Sequence, residues 1–151
     1  MKHTQKAVQL FGSGLNCAQA VLAAFAEELG MDTPTALKVA SGFGGGIGRT
    51  GQVCGALTGA VMVLGLKYGC GQAMDKTAKY ELYRKVQKLT EEFKLRTGSL
   101  YCRDLLGFDF LTPQGQMMAA QPGAFEQCDG FVHTAAELAE EMLQADESCS
   151  A

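Results

Sequence analysis

Four of the six cysteines lie where the local sequence predicts the start of a helix, although no two of them are close in sequence. Cys17, Cys54, Cys102 and Cys128 are separated by 37, 48 and 26 residues. The start signals are, in chain order, Asn16, Gly51-Gln52, Gly98-Ser99 and Pro122-Gly123. A helix N-terminus carries partial positive charge and unsatisfied N–H groups, which favour a thiolate over a thiol. A fold that gathers four such positions collects soft anionic ligands, so the pattern predicts redox or metal chemistry.

The size and charge of the chain exclude several functional classes. Its 151 residues are predicted to form a single domain, 1–151, with an ordinary core. The net charge of −3 gives no indication of a nucleic-acid partner. Residues 1–6 lack the apolar region of a secretory signal, and the longest apolar stretch, 56–66, is shorter than the ~20 residues that a bilayer requires. We therefore expect a cytoplasmic protein without membrane insertion. Structural disulfides are rare in the cytoplasm.

Hydrophobic periodicity predicts an all-α fold, a compact multi-helix bundle. The predicted helices are 2–11, 17–29, 34–41 after a Thr33 cap, 52–68, 76–97 after an Asp75 cap, 99–106 and 128–144. The long fifth helix carries an amphipathic stripe of Leu82, Val86, Leu89 and Phe93. Residues 107–126 show weak periodicity and are expected to form an irregular loop that covers a functional site or moves. Residues 146–151 are predicted to be a polar tail, and no segment has the alternation of a half-buried strand.

A glycine-rich segment precedes the fourth helix, with six glycines among residues 42–51. Residues 46–51 match G-x-G-x-x-G, but the preceding segment is helical and no acidic residue lies about 20 positions on, so dinucleotide binding is not expected. The segment is either a flexible connector or a concave nest of N–H groups that binds an anion beside Cys54. In the second interpretation the cofactor-binding residues are Gly44, Gly45, Gly46, Gly48 and Arg49, with the arginine neutralising negative charge.

The fourth helix begins with a face of small residues, Gly55, Ala56, Gly59 and Ala60. Such a face lets another helix pack at close range, and we expect it to bring Cys54 near the helix that carries Cys17.

These motifs together resemble a known family. Residues 16–21 (NCAQAV), 43–46 (FGGG) and 54–59 (CGALTG), followed by single cysteines at 102 and 128, resemble the mostly prokaryotic redox-active proteins named for a C_GCAxxG_C_C pattern. The resemblance extends over nearly the whole chain and implies four functional cysteines in an all-helical domain. Similar domains accompany haem-binding segments in some cytochromes, but this chain has no C-x-x-C-H, which excludes covalent c-type haem.

Several chemistries remain open for the four cysteines. Four thiolates can ligate an iron–sulfur cluster, which would serve electron transfer or redox sensing. Structural zinc normally uses C-x₂₋₄-C pairs, and none is present. Without metal, some of the same cysteines would be catalytic in thiol–disulfide exchange. A non-catalytic binding or transporter-accessory module with inert thiols is the remaining alternative, so enzymatic activity is left undecided.

The other candidate groups are expected to lie outside the site. Cys70 follows a predicted helix end and Cys149 falls in the polar tail, while His133 is expected to be solvated and His3 mobile. Seven of the thirteen basic residues fall within 76–96. This basic face would suit an acidic electron-transfer partner, or a second subunit through the acidic side chains of Glu137, Glu140 and Glu141 in a homodimer.

Overall fold

The computed structural model describes the backbone of residues 2–149 and the side chains of residues 2–145. This part of the chain contains eight α-helices and no β-strand, which confirms the all-α prediction. The helices are α1 Lys2–Gly12, α2 Cys17–Ala26, α3 Thr33–Ala40, α4 Gly55–Tyr68, α5 Lys76–Thr97, α6 Cys102–Leu106, α7 Pro113–Ala119 and α8 Cys128–Cys149. Short 3₁₀ turns at Glu27–Leu29 and Ser41–Phe43 extend α2 and α3.

Helix α2 is the centre of the bundle. It packs against α1, α3, α4 and α8, and all its residues from Ala18 to Ala26 except Gln19 are buried. Its start is set by a capping box, in which Asn16 accepts the Gln19 N–H at 2.8 Å and the Gln19 side chain accepts the Asn16 N–H at 3.0 Å. The helix is therefore fixed at the end that carries Cys17.

Helices α2 and α4 approach closely through the small-residue face of α4. A Cβ added at Gly59 would lie 2.9 Å from the carbonyl oxygen of Ala18, and one added at Gly55 would lie 3.3 Å from the Cβ of Cys17. The predicted close approach of α4 to the helix of Cys17 is confirmed.

Helix α4 begins three residues later than predicted, at Gly55 rather than at Gln52. The preceding segment instead pairs with the segment before α6: the Cys54 N–H donates to the Leu100 carbonyl at 2.8 Å, and the Cys102 N–H donates to the Gln52 carbonyl at 2.7 Å. An isolated antiparallel bridge between Val53 and Tyr101 lies within this pairing. Long-range backbone hydrogen bonds thus replace the first predicted turn of the helix.

The pairing also shifts the start of α6, which begins at Cys102 rather than at Ser99. The Ser99 hydroxyl donates to the Asp104 carboxylate at 2.9 Å and accepts the Tyr101 N–H at 3.1 Å. Ser99 therefore stabilises the turn that precedes the helix and is not itself the first residue of the helix.

The prediction of an irregular loop at 107–126 is wrong in part, because α7 lies inside it. Thr112 caps this helix by accepting the Gly115 N–H at 2.9 Å, and Pro113 occupies its first turn. The Thr-Pro signal was present in the sequence, but the weak hydrophobic periodicity of this short helix concealed it.

Two predictions near the ends of the described chain need correction. Helix α8 continues to Cys149, beyond its predicted end at residue 144, while residues 150–151 lie outside the described part of the chain. The side chain of His3, which was expected to be mobile, stacks on Phe25 at 4.6 Å and contacts the carboxylates of Glu28 and Glu140.

None of the described helices combines the length and the apolar character that a bilayer-spanning segment needs.

Candidate four-cysteine site

The structure places the four predicted cysteines in one region, each at a helix start. Cys17, Cys102 and Cys128 are the first residues of α2, α6 and α8, and Cys54 directly precedes α4. Cys54, Cys102 and Cys128 are buried, with 4%, 7% and 6% of their surfaces exposed, while Cys17 is half-buried. All four are free thiols.

Cys17 and Cys128 are in direct contact. The Cys17 thiol donates a hydrogen bond to the Cys128 sulfur, which lowers the pKa of Cys128. The same bond is the largest cause of the raised pKa of Cys17; burial and the nearby Cys54, Cys128 and Cys102 raise it further. Of the two thiols, Cys128 is therefore the one that loses its proton more readily.

Burial dominates the two remaining thiols. It raises the pKa of Cys54 to about 11, although the Ala56 and Leu57 N–H groups at the start of α4 favour the thiolate. Burial also raises the pKa of Cys102 to about 12, and negative charge at Cys54 and Cys128 adds to the effect. A helix start therefore does not lower the pKa of Cys54 and Cys102 in the metal-free site, because burial has the larger effect.

The four thiols do not form a site for a single metal ion. Within the described part of the chain, no group of three or more His, Cys, Asp or Glu side chains is placed so that it could hold one ion. Negative charge at Cys54 and Cys128 nevertheless raises the pKa of both Cys17 and Cys102, so the four thiols interact electrostatically.

The comparison with protein-family models gives a match over residues 15–142, to the family described as "Putative redox-active protein (C_GCAxxG_C_C)". The chain belongs to this family. The matched range includes Cys17, Cys54, Cys102 and Cys128. The searches of curated proteins and of solved structures found no match.

In this family member the glycine segment lies directly against the cysteines. A Cβ added at Gly46 would lie 2.7 Å from the Cβ of Cys102, and one added at Gly44 would lie 2.9 Å from the Cβ of Asn16, next to Cys17. These two glycines therefore allow the segment to approach the site as closely as it does.

Five consecutive residues of the segment, from Gly45 to Arg49, have positive φ angles. Ile47 and Arg49 adopt φ of 64° and 63° without being glycine, a conformation that costs each of them about 1 kcal/mol or more. Hydrogen bonds within the segment hold it, among them Arg49 N–H to the Gly44 carbonyl at 3.0 Å and Gly51 N–H to the Gly45 carbonyl at 3.1 Å. The segment is an ordered structure rather than a flexible connector.

Aromatic side chains of the segment 107–126 also pack against the site. Phe110 is buried in a small cluster with Cys102, Cys128 and Leu106, and Phe125 stacks near it at 6.0 Å. The Arg49 guanidinium lies 5.0 Å from the centre of the Phe110 ring and 5.6 Å from that of Phe125. Sequence reasoning identified the arginine but missed its aromatic partners, because no local pattern connects residues 60 or more positions apart.

The groups expected outside the site remain there. Cys70 is exposed after α4, and His133 is solvated beside Glu137. The side chain of Cys149 lies outside the described residues.

The prediction of an exposed acidic face on α8 is wrong for Glu140, which is 3% exposed and hydrogen-bonded to His3 and Thr4. Glu141 pairs with Arg96 of α5 at 3.4 Å within the same chain. Glu140 is therefore not part of an exposed acidic face, and the expected homodimer stays a prediction.

Proposed function

We propose that the four cysteines hold an iron–sulfur cluster and that the protein transfers or senses electrons through it. The supporting observation is the convergence of four thiols from four separate helix starts on one largely buried region. Four cysteine thiolates are the ligand set of the common clusters. A cluster spreads its ligands around an inorganic core, so a placement unsuited to one ion does not count against it.

The electrostatics of the site support this proposal. The hydrogen bond with Cys128 raises the pKa of Cys17, and burial raises the pKa of Cys54 and Cys102, so these three sulfurs hold protons in the metal-free protein. Bound metal cations would replace those protons and offset the buried negative charge. A bound cluster supplies one-electron chemistry, while Cys17, Cys54, Cys102 and Cys128 anchor it.

The chain's own groups would then set the properties of the site. The Ala56 and Leu57 N–H groups favour negative charge at Cys54, which would raise the reduction potential by favouring the more negative state. Phe110 and Phe125 exclude water from one side of the site, which would lower the reduction potential.

The test is elemental analysis for iron, sulfide and zinc, with a visible spectrum, on protein purified without oxygen and without a chelating tag. We expect about two or four irons per chain with matching sulfide, and loss of both in Cys54→Ser. Cys70→Ser is the matched control, because Cys70 is an exposed thiol outside the site. Iron-free protein, or equal iron in both variants, would rule the proposal out.

A second candidate function is metal-free thiol–disulfide exchange, favoured by the contact between Cys17 and Cys128. One thiol of the pair, as the thiolate, would attack a substrate disulfide and release one substrate thiolate. The other thiol would then lose its proton and attack the mixed disulfide, which releases the second substrate thiolate and leaves a Cys17–Cys128 disulfide. The substrate gains two electrons and the pair loses two. Iron-free protein whose two thiols oxidise reversibly in a glutathione redox buffer would favour this function over the first.

A further inference from the structure

A cleft of about 620 Å³ opens beside the four-cysteine site. Its walls are formed by the glycine segment, the start of α2 and the aromatic rings of the segment 107–126. The half-buried thiol of Cys17 lines it, whereas the three other site cysteines do not. The cleft is therefore the route by which a small molecule would reach the site.

The lining of this cleft is positively charged. Arg49 is its one ionised side chain, and no acidic residue lines it. Within the described part of the chain, Arg49 has no carboxylate partner and no side-chain hydrogen bond, and its guanidinium lies over the rings of Phe110 and Phe125. Its N–H groups thus remain available for a ligand.

Backbone donors reinforce this charge. Gly45 and Gly48 line the cleft, and their N–H groups donate to no backbone acceptor among the described residues. The left-handed conformation of the segment leaves these N–H groups without a backbone acceptor and places the Arg49 side chain over the two rings. Strain maintained at a non-glycine residue beside a redox site is typical of a binding feature.

The remaining walls are apolar. Phe11, Leu15, Phe110 and Phe125 offer aliphatic and aromatic surface on which a ring can stack. A cleft that combines apolar walls with a few convergent polar donors is the usual form of a small-molecule site.

From these features we infer that the cleft binds a small aromatic anion, with its acidic group on Arg49 and the Gly45 and Gly48 N–H groups and its ring against the phenylalanines, next to Cys17. This inference goes beyond the proposed function and holds whether or not the cysteines carry a cluster. A ligand in this position would lie against the one site cysteine that faces the cleft.

The test uses two probes of the same shape, 2-naphthoate and its neutral amide 2-naphthamide, titrated by fluorescence anisotropy against the intact protein. We expect the anion to bind about tenfold more tightly or better, since a hydrogen bond to a charged group is worth about that factor. This comparison requires no variant. Equal binding of the two probes, or binding of neither, would overturn the inference.

Variants then locate the site. Arg49→Gln should remove the preference for naphthoate and leave naphthamide binding unchanged. Arg103→Gln is the matched control, because Arg103 also lies over an aromatic ring, Tyr101 at 5.8 Å, but does not line the cleft. Unchanged naphthoate affinity in Arg49→Gln, or equal losses in both variants, would contradict the assignment. Iron content is measured on the same samples, so failure of the cluster proposal is recorded separately.

Discussion

The carboxylate of Glu140, buried in α8, accepts the hydroxyl hydrogen bond of Thr4 in α1 at 2.8 Å. It also accepts the backbone N–H groups of His3 and Thr4, at 3.1 and 3.2 Å, which are unsatisfied donors of the first turn of α1. The carboxylate thus caps α1 from another helix, and its negative charge complements the helix dipole. This contact ties the two ends of the described chain together at some distance from the cysteines.

Replacing Glu140 by Gln should destabilise the protein by about 1–3 kcal/mol, because buried donors lose a charged acceptor. The midpoint of urea unfolding measures the loss. Glu141→Gln is the control on the same helix; its carboxylate is 43% exposed and pairs with Arg96, so we expect a change of about 0–1 kcal/mol. A Glu140 variant as stable as the Glu141 variant would contradict the role of this cap.

The same carboxylate predicts a pH dependence. Burial raises the pKa of Glu140, but hydrogen bonds from His3 and Thr4 outweigh burial and hold it below its ordinary value of 4.5. A lowered folded-state pKa stabilises the protein above the unfolded-state pKa, and this contribution is lost as the pH falls through the folded-state pKa. The difference in urea midpoint between wild type and Glu140→Gln should therefore be largest above pH 5 and shrink below pH 4.5. A difference independent of pH would show that the charge is not responsible.

Two glycines of α4 should respond oppositely to alanine. A Cβ at Gly59 would meet the Ala18 carbonyl oxygen at 2.9 Å and the Val21 Cβ at 3.0 Å, so Gly59→Ala should destabilise the fold by about 1–3 kcal/mol. Nothing lies within 4 Å of a Cβ at Gly65, so Gly65→Ala should stabilise it by about 0.5–1 kcal/mol. Thermal unfolding of both variants tests the pair, and changes of the same sign would contradict the packing argument.

The glycine segment provides a corresponding test of the site. A Cβ at Gly46, where φ is +69°, would meet Gln52 backbone atoms and the Cβ of Cys102 at 2.6–2.7 Å. Gly46→Ala should therefore displace Cys102 and, if the cluster proposal holds, reduce iron content, as measured by elemental analysis. Gly42→Ala, with nothing within 4 Å of the added Cβ, should retain the wild-type iron content. Full iron in Gly46→Ala would show that the segment tolerates displacement.

The Cys17–Cys128 contact can be tested in metal-free protein. Removing the donor in Cys17→Ala should raise the pKa of Cys128, because the hydrogen bond from Cys17 is the main cause of its lowered value. Thiolate absorbance in the ultraviolet, followed against pH, measures the change as a shift of the first transition to higher pH. In Cys70→Ala this transition should not move, and a common response in both variants would contradict the contact.

Much of the fold was predictable because its signals are local. Asn16 and Asp75 both cap helices as predicted, Gly30 ends the 3₁₀ turn after α2 in the left-handed conformation, and Leu89 and Phe93 of the amphipathic stripe are buried. Each of these features depends on neighbours within about one or two turns, which sequence periodicity reports directly.

For the site, only the identity of its residues was predictable. Four cysteines at helix starts, preceded by a glycine-rich segment, indicated which residues would meet, and the family match covers the same residues. Their individual protonation could not be read from the sequence. It depends on burial and on which thiol contacts which, as the opposite shifts in the pKa of Cys17 and Cys128 show.

What the sequence determined by itself was therefore the all-helical fold, most helix boundaries and the four cysteines. The tertiary structure alone decided that residues 51–54 pair with 100–103 instead of extending α4, that Arg49 lies over Phe110 and Phe125, and that His3 and Glu140 join α1 to α8. The physical reason is common to all three. These contacts connect residues some 50 to 140 positions apart, and their formation depends on the packing of the whole bundle rather than on any local preference.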